Sequence, residues 1–153
     1  MSGLIRKLSL FALLALLAIA IPAQVYAQAS ACGQKRNKMQ GTLDEATWKR
    51  LNSAYEDVAE EKYDEAFDKL QKMIPRMVND YQKAVLNQAI AQVEWARGNY
   101  DESLAGFEKA VELDALPDLT HYSLMYQIAQ LYYMKDRYDE ALDKLALWMC
   151  KVP

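Results

Sequence analysis

The 153-residue chain is poor in the residues that build catalytic and metal centres. It contains one histidine, His121, and two cysteines, Cys32 and Cys150, which are too few for a disulfide-dense scaffold or a zinc site made of four thiolates. Five glycines and four prolines exclude collagen-like and linker-like chains. Lysine and arginine number 18 against 21 aspartate and glutamate, so no basic excess indicates nucleic-acid binding. The composition predicts a non-enzymatic protein with no cofactor, metal, nucleic-acid partner or small-molecule substrate.

Apolar runs long enough to span a membrane are also lacking. An uninterrupted run of eleven apolar residues covers 11–21, whereas a spanning helix needs about 20. Arg6 and Lys7 precede the run, and Pro22 and small or modest side chains at 25–27 follow it. This pattern predicts a secretory signal peptide over 1–27, cleaved after Ala27, and an N-terminal extension over 28–41. An uncleaved anchor and a lipoprotein lipidated at Cys32 are the alternatives.

A short sequence occurs three times in the rest of the chain. Tyr-Asp-Glu followed by Ala or Ser begins at Tyr63, Tyr100 and Tyr138, which are 37 and 38 residues apart. Each copy lies between two segments whose apolar residues recur at three- and four-residue steps, with a short polar turn before the tyrosine. The pattern predicts six helices, over 43–60, 64–78, 81–97, 100–113, 119–134 and 138–150. Pro75 is expected to kink or end the second.

Three helix starts carry capping signals. Thr42 and Glu45 have the spacing of a capping box, in which each side chain bonds the other residue's backbone N–H. Asp80 and Asp118 are predicted to cap the third and fifth helices, since a short side-chain oxygen can accept from the free N–H groups of a first turn.

The recurring small residues resemble the tetratricopeptide repeat (TPR), a helix-turn-helix unit with small side chains where its two helices touch. Those residues are Ala54, Ala91 and Ala129 in the first helices and Ala66, Ser103 and Ala141 in the second. The resemblance implies an all-α TPR solenoid of three helix-turn-helix repeats, with six antiparallel helices, over 42–153. Its repeats cover about 43–78, 81–114 and 119–153. Arg50 and Ser53 replace apolar template residues, so the first copy is degenerate.

A narrower resemblance joins the leader, the basic residues after Cys32, and the segments 59–73 and 112–133. Together these are similar to periplasmic TPR proteins of proteobacteria, some of which are encoded alongside TonB–ExbB–ExbD energy-transducing systems. The resemblance implies a periplasmic protein with a partner such as TonB, ExbB, ExbD or an outer-membrane transporter. The basic stretch 35–38 is an expected contact for lipid headgroups or an acidic partner.

The TPR resemblance also implies a concave groove, lined by the first helix of each pair, that holds a peptide or protein. The positions carried over are Trp48, Tyr55, Gln88, Gln92, Trp95, Tyr126, Gln130 and Tyr133, with Leu51, Val58, Val85 and Ser123 at the remaining template places. Rings offer contact area at low entropic cost and amides can bond a main chain. The alternative is that Trp95 and Tyr133 only pack between helices. His121 is expected to be a surface or capping residue.

The last predicted helix carries more apolar surface than one neighbouring helix would cover. Its docking face consists of Leu142, Leu145, Trp148 and Met149. Terminal repeats need a polar outer face. Either the natural chain therefore continues, or this face docks on a partner or a second copy, which would make the protein an oligomerising assembly module.

Cys32 and Cys150 are candidates for a disulfide if the chain is exported. Closing a loop of more than a hundred residues would add about 4–5 kcal/mol in the chain-entropy model. Two free thiols and bonds to partner proteins remain open, because three stacked helix pairs separate the cysteines unless the N-terminal segment runs back along the groove.

Overall fold

The structure is a computed structural model, and it describes residue 36 and residues 41–151. These residues form six α-helices and no strand. The helices are α1 (Glu45–Ala59), α2 (Tyr63–Gln71), α3 (Asp80–Ala96), α4 (Tyr100–Glu112), α5 (Asp118–Met134) and α6 (Tyr138–Lys151). Each packs mainly against its neighbours in the chain, which gives three helix pairs stacked in order. The predicted all-α solenoid of three helix-turn-helix units is confirmed.

The predicted leader over 1–27 and Cys32 lie outside the described residues, so the signal peptide and the lipoprotein alternative stay predictions. Across 36 and 41–151, none of the helices combines the length and apolar composition that crossing a bilayer requires.

Pro75 ends the second helix earlier than predicted. The helix α2 stops at Gln71, and Pro75 lies in a short 3₁₀ helix, Ile74–Arg76. Proline has no N–H to donate, and its ring clashes with the carbonyl four residues back, which here belongs to Gln71. The helix therefore cannot run to residue 78.

The predicted capping box of Thr42 and Glu45 is wrong. Asp44 is the N-cap of α1, and its carboxylate accepts hydrogen bonds from Thr47 N at 2.9 Å and Thr47 Oγ1 at 2.6 Å. These bonds hold the pKa of the Asp44 carboxyl below its usual value. An aspartate next to the helix supplies the acceptor that the more distant threonine was expected to provide.

The other two predicted caps are each displaced by one residue. Asn79 caps α3, because its side chain accepts from Gln82 N at 2.9 Å, and Asp80 is the first helical residue. Pro117 precedes α5, and Asp118 is its first residue. Both aspartates still place negative charge in the first turn, where it is favourable.

The turns within the three pairs share one backbone feature. Glu61, Gly98 and Asp136 have φ values of 60°, 81° and 57°, at equivalent places before each Tyr-Asp-Glu copy. This left-handed conformation costs little for glycine and more for other residues. Two of the three turns therefore keep a conformation that their residues do not favour.

The core runs through the stack, with α3 in its middle. One face of α3 joins the cluster shared with α4, α5 and α6, and the other joins the cluster of α1 and α2. All six small residues that define the repeat are buried. A Cβ on Gly106 would lie 2.8 Å from Ala91 Cβ, so α4 approaches α3 closely where both residues are small.

The N-terminal extension is tied to the third pair through Arg36. Its Nε lies 2.5 Å from Asp114 Oδ1 and its Nη1 lies 3.0 Å from Asp118 Oδ1, while Nη2 donates to the Leu116 carbonyl at 2.9 Å. The side chain is 7% exposed, with the guanidinium 5.8 Å from the Tyr122 ring centroid. Arg36 is therefore engaged within the chain, which corrects its expected contact with headgroups or a partner. The other basic residues of 35–38 lie outside the described part.

Gly41 makes a second contact between this extension and the stack. A Cβ at Gly41 would lie 2.1 Å from Tyr81 Cβ, in the first turn of α3. Only glycine fits at that distance. The described residues of the extension thus contact the starts of both α3 and α5.

Candidate functional site

The predicted groove residues lie on α1, α3 and α5, with side chains that solvent can reach. All are exposed except Gln88, which is half-buried: Trp48, Tyr55, Gln88, Gln92, Trp95, Tyr126, Gln130 and Tyr133. Leu51, at another template position, is buried in the core with α2 and α3. Leu51 therefore does not line a groove.

Four groove residues meet at one cavity of about 500 Å³. They come from α3 and α5: Trp95, Tyr126, Gln130 and Tyr133. The remaining lining residues come from α5 and α6: Ala129, Met134, Tyr138, Ala141, Leu142 and Leu145. The residues Trp48, Tyr55, Gln88 and Gln92 are not part of it. The cavity thus joins one end of the predicted groove to the predicted docking face.

The periodicity of α5 explains how it serves core and cavity together. Leu124, Ile128 and Leu131 are buried against α4 and α6. Tyr126 and Tyr133 are seven residues apart, about two turns, and lie on a second, exposed face. The helix α5 is therefore apolar on two faces and has no single amphipathic stripe. One face packs in the core, and the other is open to solvent or to a ligand.

Aromatic contacts hold the cavity walls in place. The Trp95 and Tyr100 rings are 5.5 Å apart edge to face, and Tyr133 and Tyr138 are also 5.5 Å apart. Trp95 keeps 37% of its surface exposed and Tyr133 keeps 66%. Each ring therefore packs within its helix pair and still presents a face to the cavity.

The cavity carries no formal charge. Ten uncharged side chains line it. A hydrogen bond from the Tyr138 hydroxyl to Asp136 raises the pKa of this phenol, which stays neutral at physiological pH. Behind the cavity, burial and a hydrogen bond to Glu108 raise the pKa of Tyr132 to about 12. The arrangement suits apolar or aromatic groups with neutral hydrogen-bonding partners.

The predicted docking face of α6 is only partly open. Leu142 and Met149 are 64% and 65% exposed. Leu145 is half-buried at the cavity, and Trp148 is half-buried with its ring 5.3 Å from that of Tyr126. Trp148 thus packs within the third pair, while Leu142 and Met149 face outward.

His121 is a buried residue, which corrects its expected surface or capping role. It is 7% exposed, and its Nδ1 lies 3.7 Å from Asp114 Oδ1. The side chain points inward from the first turn of α5, under the loop that also receives Arg36. Within 36 and 41–151, no three histidine, cysteine, aspartate or glutamate side chains gather as a metal site would require.

The predicted pairing of Cys32 with Cys150 stays a prediction, because Cys32 lies outside the described residues. Cys150 lies in the last turn of α6. That end of α6 is next to the start of α5, since the two helices are antiparallel, and Arg36 docks at the start of α5. Cys32 is four positions before Arg36, a reach of up to about 14 Å. The docked arginine therefore weakens the argument from distance against the pairing.

The sequence did not predict two residues of the cavity or the two carboxylates that bind Arg36. Met134 and Tyr138 line the cavity, although Tyr138 was predicted only to begin a helix. Their place next to Tyr133 in the turn between α5 and α6 is the signal that could have found them. The carboxylates of Asp114 and Asp118, which hold Arg36, carried no such signal because 78 or more residues separate them from it.

Comparison with known families agrees with this geometry. Residues 81–146, which cover α3 to α5 and most of α6, match the tetratricopeptide repeat family. Repeats of this family typically form non-enzymatic scaffolds for protein interactions. The first pair lies outside the match, as expected for a degenerate copy. No curated protein matches the chain significantly.

Proposed function

We propose that this protein is an exported, non-enzymatic scaffold that binds a protein partner along the face formed by α1, α3 and α5. The observation that carries the proposal is the uncharged cavity of about 500 Å³ between α3, α5 and α6. Its volume lies in the range of specific ligand sites and exceeds that of a single side chain. An apolar or aromatic side chain of the partner would fill it, and the Gln130 amide can bond the partner's main chain.

Export and the identity of the partner rest on the sequence alone. The leader pattern over 1–27 supports export. The resemblance to periplasmic TPR proteins supports a partner within a TonB-linked uptake system: TonB, ExbB, ExbD or an outer-membrane transporter.

Photo-crosslinking in cells tests this proposal. A photoreactive residue at position 95 is expected to capture a TonB-system protein, identified by mass spectrometry. The same residue at exposed Lys109, on α4 and outside the cavity, is the control and is expected to capture none. Capture of nothing, or of this chain alone, would contradict the proposal.

Paired substitutions test the cavity itself. Trp95→Ala together with Tyr133→Ala removes two exposed rings from the wall, so capture by a probe at position 130 should be lost. Leu119→Ala removes an exposed side chain outside the cavity and should leave capture unchanged. Unchanged capture by the double variant would show that the partner binds elsewhere.

The second candidate function is assembly: the protein would form homo-oligomers through α6. The exposed side chains of Leu142 and Met149 favour it. Sedimentation velocity over a range of concentrations tests it. A rising mass that Leu142→Glu abolishes would support it, and a constant monomer mass would exclude it.

A further inference from the structure

The two junctions between helix pairs use the same ion pair. Where α3 covers α2, Arg97 Nη2 lies 3.0 Å from Asp64 Oδ1. Where α5 covers α4, Lys135 Nζ lies 2.6 Å from Asp101 Oδ1. Each cation directly follows the last residue of its helix, and each aspartate belongs to a Tyr-Asp-Glu copy. The aspartate of the repeated sequence thus pairs with the basic end of the helix that covers it.

An apolar residue three positions after the aspartate completes each junction. Leu104 is 4% exposed and shares a core cluster with α5. Phe67 is half-buried against α3, and the Arg97 guanidinium lies 4.5 Å from its ring centroid. A covering helix therefore contacts one apolar and one acidic side chain on adjacent turns.

The helix α6 presents the same two groups without a covering helix. Residues 138–145 match 63–70 of α2 at seven of eight positions. Leu142 is 64% exposed, whereas the equivalent Phe67 of α2 is half-buried and the equivalent Leu104 of α4 is 4% exposed. Within the described residues Asp139 forms no ion pair, and α6 is the last helix. The surface that α2 offers to α3 is therefore open on α6.

We propose that α6 is covered by an amphipathic helix of a partner protein, with an arginine or lysine at its C-terminal end that pairs with Asp139. Leu142 and Leu145 line the cavity, so this inference rests on the proposed function and specifies how the partner enters: as a helix, apolar side inward. Charge disfavours a second copy of this chain in head-to-tail stacking. In such a stack, α1 of the second copy would pack on α6. The residue after α1 is Glu60, whereas the residues after α3 and α5 are Arg97 and Lys135. Glu60 would therefore repel Asp139 instead of pairing with it.

A peptide of residues 79–98, which contains α3 and Arg97, is the probe. In the protein, α3 packs on α2, and α6 has nearly the same sequence as α2. The peptide therefore carries the groups that α6 is expected to bind. A labelled peptide added to the full chain should bind saturably, as measured by fluorescence anisotropy. Arg97→Glu in the peptide, or Asp139→Lys in the protein, should each weaken binding about fivefold, since both remove the pair and add repulsion. Combining the two reversed partners should restore most of the affinity.

Leu142→Glu in the protein should abolish peptide binding, because it places a charge in the apolar contact. Leu119→Glu, at another exposed leucine, is the matched control and should leave binding unchanged. Both side chains point to solvent, so the helical circular dichroism and melting temperature should match those of the unchanged protein.

Several results would overturn the inference. Absence of peptide binding would do so, as would binding that neither Asp139→Lys nor Leu142→Glu changes. Dimers that Leu142→Glu dissociates, or a photo-crosslink from position 142 to another segment of this chain, would assign the surface to a second copy or to the chain itself.

The two proposals fail separately. Lost peptide binding with continued capture at position 95 would overturn the covering helix alone. Peptide binding without capture at position 95 would overturn the proposed cellular function alone.

Discussion

The helices α2 and α6 have nearly the same sequence over eight residues and opposite surroundings. In α2, Asp64 pairs with Arg97, and Phe67 lies against α3. In α6, Asp139 forms no ion pair within the described residues, and Leu142 is 64% exposed. The comparison shows that one short sequence contributes to the core where a following helix packs on it and forms a surface where no described helix follows it.

The largest expected effect comes from the predicted disulfide between Cys32 and Cys150. This bond would stabilise the end of α6, the last of the described helices. If Cys150 is bonded to Cys32, dithiothreitol should lower the free energy of unfolding by about 4–5 kcal/mol. Urea denaturation with and without reductant measures this. The Cys150→Ser variant is the control and should not respond to reductant. Intact mass after alkylation without reductant gives a second readout, and two alkylated thiols would contradict the pairing.

Leu104 and Leu142 are equivalent, because each is three positions after the aspartate of a Tyr-Asp-Glu copy. Truncating both side chains tests directly whether one is covered and the other is open. Leu104→Ala should destabilise the fold by about 3 kcal/mol, because it leaves a cavity under α5. Leu142→Ala should cost less than about 0.5 kcal/mol, because its side chain is exposed in the free protein. Urea denaturation of both variants tests this. Similar losses for the two would mean that α6 is already covered in the protein alone.

Arg36 contacts the third pair from outside the repeats and stabilises the start of α5. Arg36→Ala should lower the free energy of unfolding by about 2 kcal/mol, since it leaves Asp114 and Asp118 side by side without a cation. Chemical denaturation measures the loss. Arg76→Ala, at an exposed arginine with no ion pair among the described residues, should be neutral. Equal effects would contradict a specific role for Arg36.

The turns extend the comparison to the backbone. Gly98→Ala should destabilise by about 1 kcal/mol: φ is 81° there, and an added Cβ would meet nothing within 4 Å, so only backbone strain changes. Glu61→Gly, at the equivalent turn position with φ 60°, should be neutral or stabilise by up to about 1 kcal/mol, because glycine removes the backbone strain. Thermal melting distinguishes the two, and a neutral Gly98→Ala would contradict the left-handed turn.

The smallest expected difference is between the acidic residues. Asp101→Asn should cost about 0.5 kcal/mol, because the Asp101 side chain is 74% exposed and water screens its pair with Lys135. Asp139→Asn should cost less in the free protein, because it loses only the favourable first-turn charge that Asp101→Asn also loses. Denaturation at low salt compares them, and a larger loss at Asp139 would show that it already has a partner.

Most of the fold was predictable because the repeat fixes both spacing and side-chain size. The three tyrosines located the pairs, and the six small residues were all found in the core. Helix ends were less predictable. Neighbouring side chains such as Thr42 and Asp44 compete for one cap, and their difference in free energy is small.

The candidate site was predictable in part. The TPR resemblance assigned Trp95, Tyr126, Gln130 and Tyr133 to groove positions, and all four are exposed on α3 and α5. The convergence of these four with Leu142 and Leu145 was not predictable, because it depends on the angle at which α6 meets α5. Leu51 shows the converse: a template position near the groove was buried by local packing.

By itself the sequence determined what depends on short range: three helix pairs, the residues that separate them, and the apolar and polar faces of each helix. These follow from periodicity and side-chain volume within a few turns. Only the tertiary structure decided which faces remain open, where His121 points, and that Arg36 binds the loop between α4 and α5. Those contacts join residues far apart in the chain, and no local pattern specifies them. Identical residues in α2 and α6 therefore differ in role because exposure depends on what packs next to a helix.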